Sequence, residues 1–431
     1  LKYLFTTQPG VGHLNPLVPI ARGLAAEGHE VAVACAASFV PRVEAAGLRA
    51  IPAGVDWLQT APEQAFPETE GMTPFQRELF LTDIFADTTA LAMAGDLLEL
   101  FESWRPDVVV RDAYEYGGCA VAERWDIPHA VVDVEFYVPP YVTRQGLEQP
   151  LSYLRSVCGL SPAPAMEMLE RYLYLPCIPP SYQFPEYRLP EVTHALRPAY
   201  LDPSGSQTLP DWVHGLPDRP LVYATMGTTF NNVPMIFRQI IAGLAELPLN
   251  LIITVGRNQD PRQFDPLPAN VHVEQFIPQA ALMPHCQAVI ANGGMGTNLI
   301  ALSYGVPLLL IPLSGHLLLH SLRCRALGIG RTLKLPTALF EESEAELATL
   351  PDNYVTRQAW SLLQDDSPEL TPESMAAAVM ELVEEPEYRQ AAQKMQVEMA
   401  NLPGPDYAVR LLERLAVERA PIRGGSLEVS G

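Results

Sequence analysis

No apolar run in this chain approaches the ~20 residues that a membrane span requires, and its start lacks a basic stretch followed by an apolar one. The sequence therefore reads as a soluble, cytoplasmic protein with no membrane partner. Cationic side chains are also scarce, with 28 Lys and Arg against 50 Asp and Glu and a formal net charge of −22. Phosphate backbones are held by clustered Lys and Arg, so this balance argues against a nucleic-acid partner and against acidic membrane surfaces. The six cysteines, Cys35, Cys119, Cys158, Cys177, Cys286 and Cys324, form no Cys-x-x-Cys pair and have no accompanying His spacing. Neither a zinc site nor a disulfide framework is expected, and the thiols read as reduced and buried. His285 and Cys286 are adjacent, but neighbours in sequence do not make a geometric catalytic pair, and they read as core. Two nucleotide fingerprints are incomplete. Gly10-Val11-Gly12-His13-Leu14-Asn15 lacks the last glycine of the dinucleotide motif, and no Gly-Lys-Ser/Thr follows a glycine run. No repeat of solenoid or propeller period is visible.

What the chain does have is two places where an apolar run breaks into glycines and resumes as a helical pattern. Tyr3-Leu4-Phe5-Thr6-Thr7 leads into Gly10, Gly12 and His13, and Val289-Ile290-Ala291-Asn292 leads into Gly293-Gly294-Met295-Gly296-Thr297. After a buried parallel strand, glycines let the backbone approach a ligand, and the N–H groups opening the next helix face it with a favourable dipole. An anionic ligand on so acidic a protein has to be held by such local dipoles. The 431 residues exceed the roughly 250–300 at which a single core stops growing. Two doubly wound α/β halves follow.

The first half alternates strand and helix patterns, with Tyr3–Thr7, Glu30–Ala34, Pro106–Asp112 and Pro128–Asp133 as strands and Asn15–Glu27 and Phe39–Ala46 as helices. From Asp56 to about Leu81, and again from Tyr137 to Arg188, the pattern becomes irregular, as functional loops do. Residues 201–216 are a Pro-rich linker candidate after an N-terminal domain of residues 1–200. The rhythm restarts in residues 217–402, with strands at Leu221–Thr225, Leu251–Gly256 and Val306–Pro312 and an acidic excursion over Glu341–Asp366. Helices close the chain, the last within residues 403–420, before a flexible tail at 421–431.

Gly12-His13-Leu14-Asn15-Pro16, Phe276-Ile277-Pro278-Gln279, Gly293-Gly294-Met295-Gly296-Thr297 and Gly305-Val306-Pro307, in this order and spacing, resemble the nucleotide-sugar glycosyltransferases of the GT-B fold, especially bacterial enzymes that decorate natural-product aglycones. The resemblance implies two Rossmann-like doubly wound domains facing each other across a cleft, with the terminal helix crossing back to the N-terminal domain. It makes His13 the general base for an acceptor hydroxyl and Asp112 the residue that orients and stabilises its imidazolium. A positioned base of this kind contributes about 10²–10⁴-fold. Read from its place ahead of a helix, the His13 imidazole is expected to be held neutral by the positive dipole end. On the donor side the resemblance assigns Phe276 to stack on the base, Gln279 to contact it, and Gly294, Gly296 and Thr297 to cradle the diphosphate, with Thr228 touching it from the other side. Backbone N–H groups doing this work remove the need for a metal, and no cofactor is expected beyond the UDP- or TDP-linked sugar as cosubstrate. The acceptor partner is a small hydrophobic aglycone, with Trp57, Phe66, Phe75, Phe80, Phe85, Phe136 and Tyr137 as candidates to line its pocket or to pack as core.

Three departures from the family pattern stand out. Asn292 replaces a His that donates to phosphate, Ile300 stands where many relatives place an acidic residue for the ribose, and Leu313-Ser314-Gly315-His316-Leu317-Leu318-Leu319-His320 lacks the Asp-Gln pair that binds sugar hydroxyls. A hydroxyl buried unpaired against leucine costs about 1–3 kcal/mol, so glucose is a poor expectation: either the donor is a deoxysugar with fewer hydroxyls, or His316 supplies a substitute contact, or sugar transfer has been lost. His316 and His320 have metal-pair spacing without a third ligand. Two other readings remain: an enzyme that uses the His13/Asp112 pair for acid–base chemistry on a natural-product intermediate without sugar transfer, and a noncatalytic auxiliary partner. The acceptor, the sugar, the nucleotide base and the assembly, a homodimer included, stay open.

Overall fold

The computed structural model describes residues 1–56, 66–69, 72, 80, 84–198, 208–227, 233–256, 259–336 and 365–424. The chain divides into two compact units, Leu1–Pro203 with Asn401–Gly431, and Ser204–Ala400.

The first unit is built on strands β1 (Lys2–Thr6), β2 (Glu30–Cys35), β3 (Arg49–Pro52), β4 (Val108–Asp112), β5 (His129–Asp133) and β6 (Leu173–Pro176). They form one sheet in the order β3-β2-β1-β4-β5-β6, and every pairing is parallel. Parallel strands covered on both faces read as continuous apolar runs, which is why β1 is Tyr-Leu-Phe at its centre and β4 begins Val-Val-Val. Alternation divides them between two cores: Tyr3, Phe5, Val108 and Val110 join one, and Leu4 and Val109 the other. The helices are α1 (Val11–Leu14), α2 (Leu17–Ala26), α3 (Val40–Ala45), α4 (Thr88–Ser103), α5 (Gly117–Arg124) and α6 (Pro140–Val157). The stretch read as irregular from Tyr137 to Arg188 instead contains the 18-residue α6 and strand β6. Pro140 at the helix start, Gly146 and the internal Pro150 hide the helical period there.

The second unit repeats the plan with β7 (Leu221–Thr225), β8 (Asn250–Thr254), β9 (Val271–Glu274), β10 (Cys286–Ala291), β11 (Leu308–Leu310) and β12 (Gly330–Thr332), ordered β12-β11-β10-β7-β8-β9 and again wholly parallel. Its helices are α7 (Pro234–Leu244), α8 (Gln279–Leu282), α9 (Met295–Ser303), α10 (Gly315–Ala326), α11 (Pro372–Glu384) and α12 (Pro386–Asn401). The final helix, α13 (Pro405–Glu418), belongs to the first unit. Its Ala408, Val409, Leu411, Leu412 and Leu415 follow helical spacing and enter the same core as Leu17, Ile20 and Leu24 of α2. Between the units, residues 201–207 of the expected linker lie outside the described residues, and Asp211–Gly215 form a short 3-10 helix. Among the described residues no helix is long and apolar enough to cross a membrane.

Both sheets have the strand order 3-2-1-4-5-6, numbered within each unit, so each reverses direction once: between β1 and β4 in the first unit and between β7 and β10 in the second. Ligands of open α/β sheets collect at the carboxyl ends of the strands beside such a reversal.

Candidate active site and donor loop

In the first unit the reversal point holds the two residues assigned to catalysis. His13 lies in α1, just past β1, and its Nδ1 is 3.2 Å from Oδ1 of Asp112 at the end of β4. The imidazole is 22% exposed and the carboxylate 5%, so the ring reaches solvent while its partner does not. Asp112 is fixed from two further sides, as Oδ2 accepts the Gln8 N–H at 2.6 Å and Oδ1 the Tyr114 N–H at 2.8 Å. An ionised carboxylate only accepts hydrogen bonds, so Nδ1 carries the proton and the neutral ring keeps its lone pair on Nε2. The edges of the Phe85 and Tyr114 rings flank the imidazole at 6.2 and 5.7 Å between centroids. Gly10 makes room for it: a Cβ there would lie 2.5 Å from His13 Cδ2.

The electrostatics reverse the expectation of an imidazole held neutral. Burial lowers the His13 pKa, but the charge and hydrogen bond of Asp112, helped by Glu135 and Asp133, outweigh it and raise the group above the ordinary histidine value. The four-residue α1 carries little dipole, whereas Asp112 is in contact. Burial would raise the Asp112 carboxyl; the charge and hydrogen bond of His13, with the Gln8 and Tyr114 N–H groups, instead hold it below the usual carboxylate range. Nearby, Asp133 ends β5 with Oδ2 accepting from the Tyr174 hydroxyl at 2.9 Å, and burial pushes its carboxyl up to about 7.

At the reversal point of the second unit, β10 runs into Asn292, Gly293 and Gly294, and α9 begins at Met295. Gly293 has φ +97°, and a Cβ on it would stand 2.9 Å from the Leu317 carbonyl oxygen, so the turn admits only glycine. Asn292 staples the loop, accepting the Gly294 N–H at 3.0 Å and donating to the Met226 carbonyl at 3.0 Å. Its amide is therefore engaged at both ends within the protein, as is the Gly294 N–H. The N–H groups of Met295, Gly296 and Thr297 open the helix, where no intrahelical acceptor exists. Among the described residues, a Cβ at Gly296 would meet nothing within 4 Å. Gly296 itself is exposed, as an anion-binding helix start requires.

Residues 22–227 match the model of the erythromycin biosynthesis protein CIII-like N-terminal domain, and residues 238–367 match that of the corresponding C-terminal domain. The 4'-demethylrebeccamycin synthase of Lentzea aerocolonigenes is 32% identical over 346 residues, which cover 71% of this chain and 81% of that one. The chain belongs to the erythromycin biosynthesis protein CIII-like family. It is a glycosyltransferase. The aclacinomycin-T 2-deoxy-L-fucose transferase of Streptomyces galilaeus is similar over 100% of both chains at 26% identity. The crystal structure of CalG4, the calicheamicin glycosyltransferase, superposes with a TM-score of 0.74 over 97% of this chain and 99% of its own at 23% identity, which identifies the GT-B fold.

The remaining donor-side candidates of this glycosyltransferase are placed unevenly. Phe276 is 42% exposed and lies in the loop between β9 and α8. Gln279 opens α8, but its Nε2 donates to the Tyr223 hydroxyl at 3.1 Å, and that hydroxyl pairs with Thr254 at 2.6 Å. Thr297 is buried, and Thr228 lies outside the described residues. In α10, Leu317 and Leu318 are buried, Leu317 within the second unit's core, while Leu319 is half-buried. His316 is half-buried with Nδ1 3.2 Å from Ser314 Oγ, while His320 is buried. Among the described residues no group of three or more His, Cys, Asp or Glu is arranged to hold a metal ion. Cys286 and the other five cysteines are buried thiols.

Among the aromatic candidates, Phe85 reaches His13, Phe66 packs on Phe80 and Ile84, Phe136 stacks on Tyr182 at 5.4 Å, and the Tyr137 hydroxyl donates to Glu170 at 3.0 Å. Trp57 and Phe75 lie outside the described residues. Sequence reasoning missed Gln8, Tyr114 and Tyr223, which act through backbone groups or a core hydroxyl and leave no pattern.

Proposed function

We propose that this cytoplasmic glycosyltransferase transfers a deoxysugar from a nucleoside diphosphate to a hydroxyl of a hydrophobic natural-product aglycone, with inversion at the anomeric carbon. The observation that carries the reading is the His13–Asp112 pair at the reversal point of the first sheet. An alcohol is a weak nucleophile at neutral pH. As its oxygen attacks the anomeric carbon, His13 Nε2 takes the hydroxyl proton and the bond from that carbon to the diphosphate oxygen breaks. The positive charge that develops on the ring is stabilised by Asp112, itself locked by Gln8 and Tyr114. Attack from the face opposite the leaving group inverts the configuration.

The leaving diphosphate is received by the helix start at Gly296 and Thr297, with Gly294 shaping the approach and Asn292 holding the loop. Exposed Phe276 offers a face to the nucleotide base, while Gln279, Thr228 and His316 are assigned by resemblance. A deoxysugar fits because Leu317 and Leu318 are committed to packing and offer no partner to extra hydroxyls. The full-length relative described as a 2-deoxy-L-fucose transferase supports the same choice.

The test is incubation of the purified protein with UDP- and TDP-linked deoxysugars and a panel of hydrophobic aglycones, following nucleoside diphosphate release and the anomeric configuration of the product. Inverted glycoside supports the reading. Retained configuration, or aglycone chemistry without a sugar, overturns it.

A further inference from the structure

Arg111 is 2% exposed on β4, immediately before Asp112. Alternation along the strand sends the two side chains to opposite faces, and Arg111 turns the two terminal nitrogens of its guanidinium to backbone carbonyls. Nη1 donates to the carbonyls of Asp112 at 3.0 Å, Ala113 at 2.8 Å and Glu115 at 3.4 Å, and Nη2 to that of Leu169 at 3.0 Å. The guanidinium also lies 5.8 Å from the centre of the Tyr116 ring. One planar cation thus gathers the turn from Asp112 to Glu115 and ties it to the 3-10 helix Met166–Glu170. That turn sets the catalytic geometry, because the Tyr114 N–H and the His13 ring share the same oxygen of Asp112.

We infer that Arg111 is a positioning residue for sugar transfer: its fork fixes the Asp112–Glu115 turn so that Asp112 presents Oδ1 to His13. The inference rests on the reading of His13 and Asp112 as the catalytic pair. Burying a cation is costly; here four carbonyls accept from it at once, and the buried carboxyls of Glu115, Asp133 and Glu170 also feel its charge. Lysine keeps the charge but concentrates its donors on one atom, so it cannot span the turn and Leu169 together. A purely structural role would lower the melting temperature and the active fraction. It would leave the chemistry of each folded molecule unchanged.

The experiment compares Arg111→Lys, Arg111→Gln, Asp112→Asn and the double variant Arg111→Lys/Asp112→Asn by kcat, by KM for the sugar nucleotide and by the pH dependence of kcat/KM, with rates normalised to folded protein. Arg111→Lys is expected to lower kcat about 10²-fold, as small misplacements near the reacting atoms do. KM for the donor stays unchanged, and the acid limb moves to lower pH because His13 loses its hold on Asp112. In the double variant kcat equals that of Asp112→Asn alone. Arg111→Gln, which keeps amide donors without charge, reports the same coupling if the Lys variant does not fold. Loss of kcat from Asp112→Asn, with an unshifted limb in the Arg111 variants or an additive loss in the double variant, overturns the inference while leaving the catalytic pair intact. No loss from Asp112→Asn overturns the pair itself, and the inference with it.

Discussion

Replacing Gly296 by valine places a side chain over the start of α9 without disturbing the protein that carries it. A Cβ at 296 meets no atom of the described residues within 4 Å, whereas one at 294 comes within 3.2 Å of Asn292 Oδ1 and one at 293 within 2.9 Å of the Leu317 carbonyl at φ +97°. Glycine is the poorer helix former, so Gly296→Val is expected to leave stability within about 0.5 kcal/mol. A diphosphate held by the opening N–H groups would lose them to the added methyls. Two charge-assisted hydrogen bonds at about 1.5–3 kcal/mol each amount to about 3–6 kcal/mol, or about 10²–10⁴-fold in Kd. The assay is calorimetric titration with UDP and TDP beside a thermal melt of the same sample. Gly293→Ala is the contrasting control, costing about 1–3 kcal/mol of stability through backbone strain. Unchanged nucleotide affinity in a folded Gly296→Val protein would refute the diphosphate cradle.

The raised pKa of His13 gives transfer an acid limb above the ordinary histidine value, since the base must be neutral to work. Asp112→Asn should lower kcat about 10²-fold or more and move that limb to lower pH, measured as kcat/KM against pH. The same shift appears in folding. The stability that His13 contributes through Asp112 is complete below the unfolded value of about 6.5 and is lost as pH rises through the higher folded value. Denaturant midpoints of wild type and His13→Ala should therefore converge as pH rises. In the second unit, Thr371 caps α11 with a reciprocal bond to Ser374, and Thr371→Ala should cost about 1 kcal/mol by denaturant titration without changing nucleotide affinity.

The central strands were legible because buried parallel strands must be apolar throughout, as Val108–Val110 and Val289–Ala291 are. Short edge strands such as β3 and β12, with Arg49 and Gly330–Thr332, carry too few apolar residues to stand out. Helix α6 was hidden by its prolines and glycine. At the site, glycine spacing marked the loops at His13 and at the start of α9, and Asp112 came only through the family resemblance; none of these carried the sign of the His13 shift. That sign depends on a contact between residues 99 apart in sequence, which no local pattern reveals. Nor does sequence show that Asn292 and Gln279 spend their amides on Met226, Gly294 and Tyr223, because those partners meet only through the sheet. The leucines of α10 looked like a damaged sugar site; folded, Leu317 and Leu318 serve the core instead.

The claim that His13 is the base for glycosyl transfer is tested most directly by His13→Ala, assayed with a sugar nucleotide and aglycone that wild type couples, with nucleotide Kd measured in parallel. Transfer should fall by about 10²–10⁴-fold while nucleotide affinity holds. Transfer at the wild-type rate in the folded variant would contradict it.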